Sequence, residues 1–295
     1  MKKYILTIDL GGTYLLSALF NKYGVLEDKS IVETHKNKYL NNETQLFSIE
    51  SFFSIISEKI VNTSIVGIAI SIPGIVDEST NIIGEIVNVK NNISGVNLKK
   101  EIEEKFSIPT IVLNDANSYA ISESFSGNGK NYSNVFFINI GTGIGGGLII
   151  DGKLYWGSQG QAGEIGHTTI DTNGAQCKCG NRGCLEMYVS GQKIQQVTKN
   201  HTLEIPETIF KILGLGFCNI VNLYDPDALI IGGGVALKTK NFIEKIFSSS
   251  DKYVINKLQK IKKISLAKHG IDGALLGNAI YLENYINNST ESPLF

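Results

Sequence analysis

Apolar positions in this chain come in short blocks with two different periods. Residues 4–9 are apolar and rich in β-branched side chains, break at Gly11-Gly12, and give way to a second apolar block over 14–20. That pattern predicts a strand, a glycine turn and a second strand. Between 44 and 62 the apolar residues Leu46, Phe47, Phe52, Phe53, Ile56 and Ile60 recur at helical spacing. Residues 66–70 read as a short buried strand running into a Ser71-Ile72-Pro73-Gly74 loop. A helix is predicted over 98–106, a strand over 110–113 that stops at Asn114-Asp115, and a helix over 116–125. Alternating strands and helices indicate an α/β class.

The second half repeats the opening. Residues 135–140 predict a strand, 141–147 a glycine-rich turn, and 148–150 a further apolar strand. Ile138-Asn139-Ile140-Gly141 has the pattern of Ile8-Asp9-Leu10-Gly11, 130 positions on (8 to 138). A strand–turn–strand unit used twice predicts two related lobes facing a central cleft. The expected boundaries are 1–115 plus 275–295 for one lobe and 116–274 for the other. Helices are expected at 186–199 and 206–223, then a strand at 228–231 running into Gly232-Gly233-Gly234. A last helix carries Ala274, Leu275, Ala279, Ile280 and Tyr281, and no low-complexity linker interrupts the chain.

The 295-residue length suits two lobes. A formal charge of −1 gives no broad basic field for nucleic acid or an anionic membrane. The apolar start ends at Asp9, too soon for a signal peptide, and no run reaches the roughly 18 apolar residues of a membrane span. The expectation is a soluble cytoplasmic protein with neither nucleic acid nor membrane as partner.

Gly141-Thr142-Gly143-Ile144-Gly145-Gly146 matches GxGxxG formally, but a dinucleotide fingerprint must open a helix, and here strand-like residues follow. A dehydrogenase reading is therefore disfavoured, and no GxxxxGK[ST] run is present. A glycine turn between strands can still cradle phosphate, because converging N–H groups meet no Cβ. Thr13 and Thr142 add hydroxyls, and Asp9 could act on a Mg²⁺ ion bound with the phosphates. Two ordinary glycine hairpins are the simpler alternative.

Three of the four cysteines, Cys177, Cys179 and Cys184, fall within eight residues. With no secretion signal, this clustering favours a metal over a disulfide. His167 is the candidate fourth ligand, and a closed set of four would make the zinc structural. The alternative is three unrelated thiols; the separate Cys218 reads as a buried thiol. Asp115, just after a strand, is the candidate acceptor for a proton, with Asn114 beside it as a hydrogen-bonding partner. An Asn-Asp pair there also suits a helix N-cap.

Taken together, Asp9–Thr13, Ser71–Asp77, Asn114-Asp115-Ala116-Asn117, Gly141–Gly147, Gly163–His167, the cysteine cluster and Ile230–Val235 resemble the ROK family (repressors, open reading frames and kinases) within the sugar-kinase/actin/Hsp70 ATPase superfamily. The resemblance implies an α/β, two-lobed, ribonuclease H-like (actin-like ATPase) fold with a central cleft. It implies an ATP- and Mg²⁺-dependent hexose kinase, with Asp115 as general base and Gly74, Asn88, Asn114, Asp115, Glu164, His167 and Glu186 around the sugar. Asp9, Gly11, Gly12, Thr13, Gly141, Thr142, Gly143, Gly232, Gly233 and Gly234 would serve the nucleotide. His167, Cys177, Cys179 and Cys184 would hold a structural Zn²⁺, and a homodimer is expected.

Some readings stay open. Glu186 also suits a surface helix, and Gly232–Gly234 could simply end a strand. Val87-Asn88-Val89-Lys90 departs from the family's usual context around that Asn. Ser158-Gln159-Gly160-Gln161 departs near the expected pocket. Glucose is the expected acceptor, with N-acetylmannosamine, fructose, allose, N-acetylglucosamine and β-glucosides as alternatives. A sugar-responsive repressor is disfavoured, because the first phosphate strand starts by Tyr4 and leaves no room for a winged helix.

Overall fold

The computed structural model describes residues 2–41, 44–86, 89–197 and 205–289. Among them the strands are β1 (Lys3–Leu10), β2 (Tyr14–Asn21), β3 (Leu26–Glu33), β4 (Ser64–Ile72), β5 (Thr110–Asn114), β6 (Val135–Ile140), β7 (Ile144–Ile150), β8 (Lys153–Leu154), β9 (Ala228–Gly232) and β10 (Lys263–Leu266). The α-helices are α1 (Ile49–Ile60), α2 (Leu98–Phe106), α3 (Asp115–Phe125), α4 (Glu186–Val189), α5 (Gly191–Val197), α6 (Glu207–Tyr224), α7 (Gly234–Lys238), α8 (Phe242–Ser249), α9 (Lys252–Leu258) and α10 (Gly273–Ser289). No described helix is long and apolar enough to cross a membrane.

The chain divides into two compact units. Unit 1 is Met1–Ser122, Trp156–Gln161 and Asp272–Phe295; unit 2 is Glu123–Tyr155 and Ala162–Ile271. Each contains one five-stranded mixed sheet, ordered β3-β2-β1-β4-β5 in unit 1 and β10-β9-β6-β7-β8 in unit 2. Read from the opposite end, the second order becomes β8-β7-β6-β9-β10, the topology of the first. In both, the central strand pairs antiparallel with the strand that follows it and parallel with a later one. The hairpin repeat seen in the sequence is thus the visible part of a whole repeated sheet.

In unit 1 the central strand β1 buries Ile5, Leu6, Ile8 and Leu10. A strand this uniformly apolar is covered on both faces. Helix α10 packs on β1, β2, β4 and β5, while α2 packs on β5. Contact with α10 is close: a Cβ at Gly67 would lie 2.8 Å from Leu282 Cδ2. Parallel pairing aligns Asp9 with Ser71 and Ile72 with Asn114, so β1, β4 and β5 end along one edge. Ligands of α/β sheets bind at such carboxyl ends. In unit 2, α6 buries Phe210, Leu213 and Phe217 and packs against α8 and α9. There β6, β9 and β10 are parallel, with Asn139 opposite Gly232 at the corresponding edge.

Several elements differ from the sequence expectation. The helix expected over 44–62 starts at Ile49: Ser48 is extended at its N-cap, its N–H donating to Ser51 Oγ at 3.0 Å. Phe47 instead forms an isolated bridge with Asn91. The helix expected over 186–199 breaks at Ser190, which is extended, because the Gly191 N–H donates to the Gly141 carbonyl at 2.8 Å; 198–199 lie outside the described residues. The glycine turn is only 141–143, and Ile144 onward is already β7. Gly146 belongs to that strand for a packing reason: a Cβ there would collide with the Gly163 carbonyl and lie 3.0 Å from the Phe136 ring.

Candidate functional site

In unit 1 the site begins where β1 ends. Asp9 is 5% exposed and accepts a hydrogen bond from Ser71 Oγ at 2.6 Å. Burial raises its carboxyl pKa from 3.8 to about 6, against the lowering effect of the Ser71 hydroxyl. Behind Ser71 stands a buried amide: Asn278 Nδ2 donates to Ser71 Oγ at 3.0 Å and to the Ile8 carbonyl at 3.3 Å. Asn278 Oδ1 lies 2.7 Å from Ser118 Oγ, which donates to it. A relay of oriented dipoles therefore runs Ser118, Asn278, Ser71, Asp9. Sequence reasoning missed Asn278; the available signal was a polar side chain on the apolar face of an otherwise core-facing helix.

The turn after Asp9 closes through Gly11 N–H to Tyr14 O at 2.9 Å, and a Cβ at Gly11 would sit only 2.9 Å from that oxygen. Thr34 fastens the turn from β3's end, donating from Oγ1 to Gly11 O at 2.6 Å and from N–H to Thr13 O at 2.9 Å. Gly12 is half-buried and Thr13 exposed.

At the end of β5, Asn114 Nδ2 donates to the Gly74 carbonyl at 3.1 Å, bringing two expected sugar contacts together. Asn114 Oδ1 accepts from the Asn117 N–H at 3.2 Å, so this residue does cap α3. The cap fixes the first turn of α3, whose first residue is Asp115. Asp115 is half-buried, and its Oδ1 accepts its neighbour Ala116's N–H at 2.8 Å. Asn117 Oδ1 is buried without a hydrogen-bond partner among the described residues. Burial and the negative charges of Asp9, Asp115 and Asp272 push the Tyr119 phenol far up, so it stays protonated. Asn88 lies outside the described residues.

In unit 2, the Gly141 N–H donates to Gly143 O at 3.0 Å, and Thr142 is exposed at the tip. Glu186, at the start of α4, accepts the Ile144 N–H at 2.7 Å. A Cβ at Gly143 would collide with that carboxylate. Here Glu186 braces the glycine turn, a contact that sequence reasoning did not anticipate. Gly233 has φ +89°, and a Cβ there would lie 2.6 Å from Asn139 Oδ1; α7 then starts at Gly234.

The ligand atoms of His167, Cys177, Cys179 and Cys184 all lie within 4.8 Å of one another. Cys179 Sγ and Cys184 Sγ are 3.6 Å apart, and Cys177 Sγ is 3.7 Å from His167 Nδ1. Sulfurs of a disulfide stand about 2 Å apart, whereas those around tetrahedral zinc at 2.3 Å stand about 3.8 Å apart. The set thus fits zinc in both chemistry and spacing. The other imidazole nitrogen, Nε2, is 3.8 Å from Glu164 Oε2. That separation is too long for a hydrogen bond, so Glu164 lies beside His167 without holding its ring. Burial raises the Glu164 pKa; His167 opposes the shift and Glu186 adds to it.

A sequence profile described as the ROK family matches residues 5–284. A xylose repressor of Bacillus spizizenii is 29% identical, the match covering 96% of this chain and 78% of the repressor. A glucokinase of Halalkalibacterium halodurans is 27% identical, over 98% of this chain and 97% of its own. The crystal structure of a ROK family glucokinase from Streptomyces griseus in complex with glucose and AMPPNP superposes with a TM-score of 0.75, at 22% identity, covering 95% of this chain and 99% of that one. The likeness in structure establishes the fold, α/β of the actin-like ATPase type.

Proposed function

This chain belongs to the ROK family, and from that membership we propose that it is an ATP-dependent sugar kinase with glucose as acceptor. The observation that carries the reading is the end of β5, where the Asn114 side chain joins Gly74 and caps the helix that begins with Asp115. A repressor that only senses sugar needs the contacts around a sugar; it has no use for a carboxylate held ready to take a proton.

In the proposed reaction a glucose hydroxyl oxygen attacks the γ-phosphorus of ATP. One O–P bond forms, the bond to the bridging β–γ oxygen breaks, ADP leaves, and Asp115 accepts the hydroxyl proton. Gly74, Asn88, Asn114, Glu164, His167 and Glu186 would orient the sugar. Asp9, Gly11–Thr13, Gly141–Gly143 and Gly232–Gly234 would hold the nucleotide. Mg²⁺, when bound with the phosphates, neutralises their charge. His167, Cys177, Cys179 and Cys184 would keep a zinc that fixes the loop bearing Glu164 and Glu186, and the protein would act as a homodimer.

The test is sugar-dependent ADP release with a panel containing glucose, N-acetylmannosamine, fructose, allose and xylose, on wild type and Asp115→Asn. The expected result is turnover with glucose that falls by about three orders of magnitude or more in the variant, which still binds the sugar. If no sugar drives ADP release in zinc-replete protein, the kinase reading fails and a sugar-responsive regulator, as among the repressor relatives, takes its place.

A further inference from the structure

Unit 1 contains a cavity of about 230 Å³ beside its edge strand β5. None of its lining residues is assigned above to acceptor, nucleotide or metal. Its walls are Ile111, Val112 and Leu113 of β5, the aromatic rings of Trp156, Tyr281 and Tyr285, and the polar side chains of Glu78, Asn81 and Lys99. Trp156 is the single tryptophan of the chain and is 8% exposed. Its ring meets that of Tyr281 edge-on, with centroids 6.3 Å apart and planes at 71°. Two rings at that angle form a corner rather than a filled stack. Opposite charge lines the same space: Lys99 Nζ donates to Tyr285 Oη at 3.1 Å and stands 5.0 Å over that ring. Neither Lys99 nor Glu78 is in an ion pair among the described residues.

The lining chemistry restricts what can enter. A purely apolar ligand would desolvate the Lys99 ammonium, leaving it only the Tyr285 hydroxyl, and would cover part of the exposed Glu78 carboxylate. An anion would suit Lys99 and be repelled by Glu78, and a cation the reverse. A neutral polyhydroxylated ring offers hydroxyls that accept from Lys99 and Asn81 and donate to Glu78, while its C–H faces lie on the aromatic rings. The volume agrees, since drug-sized ligands need cavities of about 300 Å³ or more and a monosaccharide needs less. We propose that this cavity is a second site, separate from the acceptor site, for a small neutral polyol of monosaccharide size.

Because Trp156 lines the cavity, tryptophan fluorescence of the full chain reports on it directly, and no turnover is required. The probes are D-glucose and D-xylose, with L-alanine as a zwitterionic control. The expected result is a saturable change with one of the sugars, weakened about tenfold or more in Lys99→Ala and in Tyr285→Ala. It should persist in Asn114→Ala, which removes a proposed acceptor contact. Lys99 and Tyr285 are partly exposed, so their variants should fold; circular dichroism checks this, and both should keep the wild-type rate of sugar-dependent ADP release. A signal lost in Asn114→Ala but kept in the other two would place the ligand in the acceptor site and overturn the proposal. So would a response to L-alanine alone, or no response to either sugar. Failure of the kinase reading leaves this titration unaffected, so the two outcomes are separable.

Discussion

Replacing Asp9 by Asn should make the protein more stable and less active. The carboxyl is buried and its pKa is raised from 3.8 to about 6 by desolvation. Between those values the folded state binds more protons than the unfolded chain, so this group's contribution to stability falls as pH rises. At 1.36 kcal/mol per pKa unit, keeping the charge inside the fold at pH 7.5 costs about 3 kcal/mol. Asn carries no charge, and its amide oxygen can still accept the Ser71 hydroxyl. Asp9→Asn should therefore exceed wild type by about 2–3 kcal/mol at pH 7.5, narrowing to about 1 kcal/mol at pH 4.5, where the wild-type carboxyl is mostly protonated in the fold. Urea denaturation of both proteins at the two pH values, without nucleotide or Mg²⁺, measures this. Adding MgATP should raise the melting temperature of wild type more than that of the variant, and the variant's turnover should fall at least about a hundredfold. A variant less stable than wild type at pH 7.5, or a difference that does not change with pH, would refute the reasoning.

Substitutions at three further positions test other parts of the site. Cys184→Ser should reduce zinc content measured by atomic emission and lower the melting temperature, because the set of three thiolates and one imidazole loses one of its four ligands. Gly146→Ala should cost about 1–3 kcal/mol in denaturation, since its Cβ would meet the Gly163 carbonyl and the Phe136 ring; a neutral result would mean that β7 can move away from that contact. Glu186→Ala frees the Ile144 N–H and should raise the KM for ATP by about tenfold, whereas Glu186→Gln, which can still accept that bond, should retain most of the affinity.

The sequence revealed the buried strands, the edge strand β5 among them, and concealed the polar edge strands β3 and β10, for a physical reason. β1 and β6 are covered on both faces and read as continuous apolar runs. β3, with the sequence LEDKSIVE, and β10, with KISL, are edge strands; no residue of either is fully buried, and β3 exposes three consecutive charges, Glu27, Asp28 and Lys29. Such patterns carry little hydrophobic signal, and the polar edge guards against pairing with another chain. The short helices α7, α8 and α9 escaped notice because five to eight residues span too few turns to show a period. At the site, Asp9 and Asn114-Asp115 were legible because an apolar strand stops abruptly at each. The Asn278–Ser71 bond joins residues 207 positions apart, and the Glu186–Ile144 bond spans 42. Nothing in local spacing encodes either.

The repeated sheet also exposes a difference that the shared topology makes meaningful. Both central strands end on an apolar residue, Leu10 or Ile140, but the residue before it is Asp9 in unit 1 and Asn139 in unit 2. A buried carboxylate costs free energy unless a cation or a set of donors balances it, and the relay through Ser71 supplies one donor. An amide at the corresponding place carries no such cost and can donate to an anion as well as accept. On the proposed kinase reading, unit 1 would therefore be the half that meets a cation bound with phosphate. Unit 2 would then meet an anion through neutral groups, its turn being held by Glu186 and by the Gly191 N–H on Gly141. On this argument Asn139→Asp should weaken nucleotide binding by charge repulsion, whereas Asp9→Asn should weaken it by loss of the cation. Raising Mg²⁺ would discriminate between them, because it screens the first defect and has no carboxylate to act through in the second.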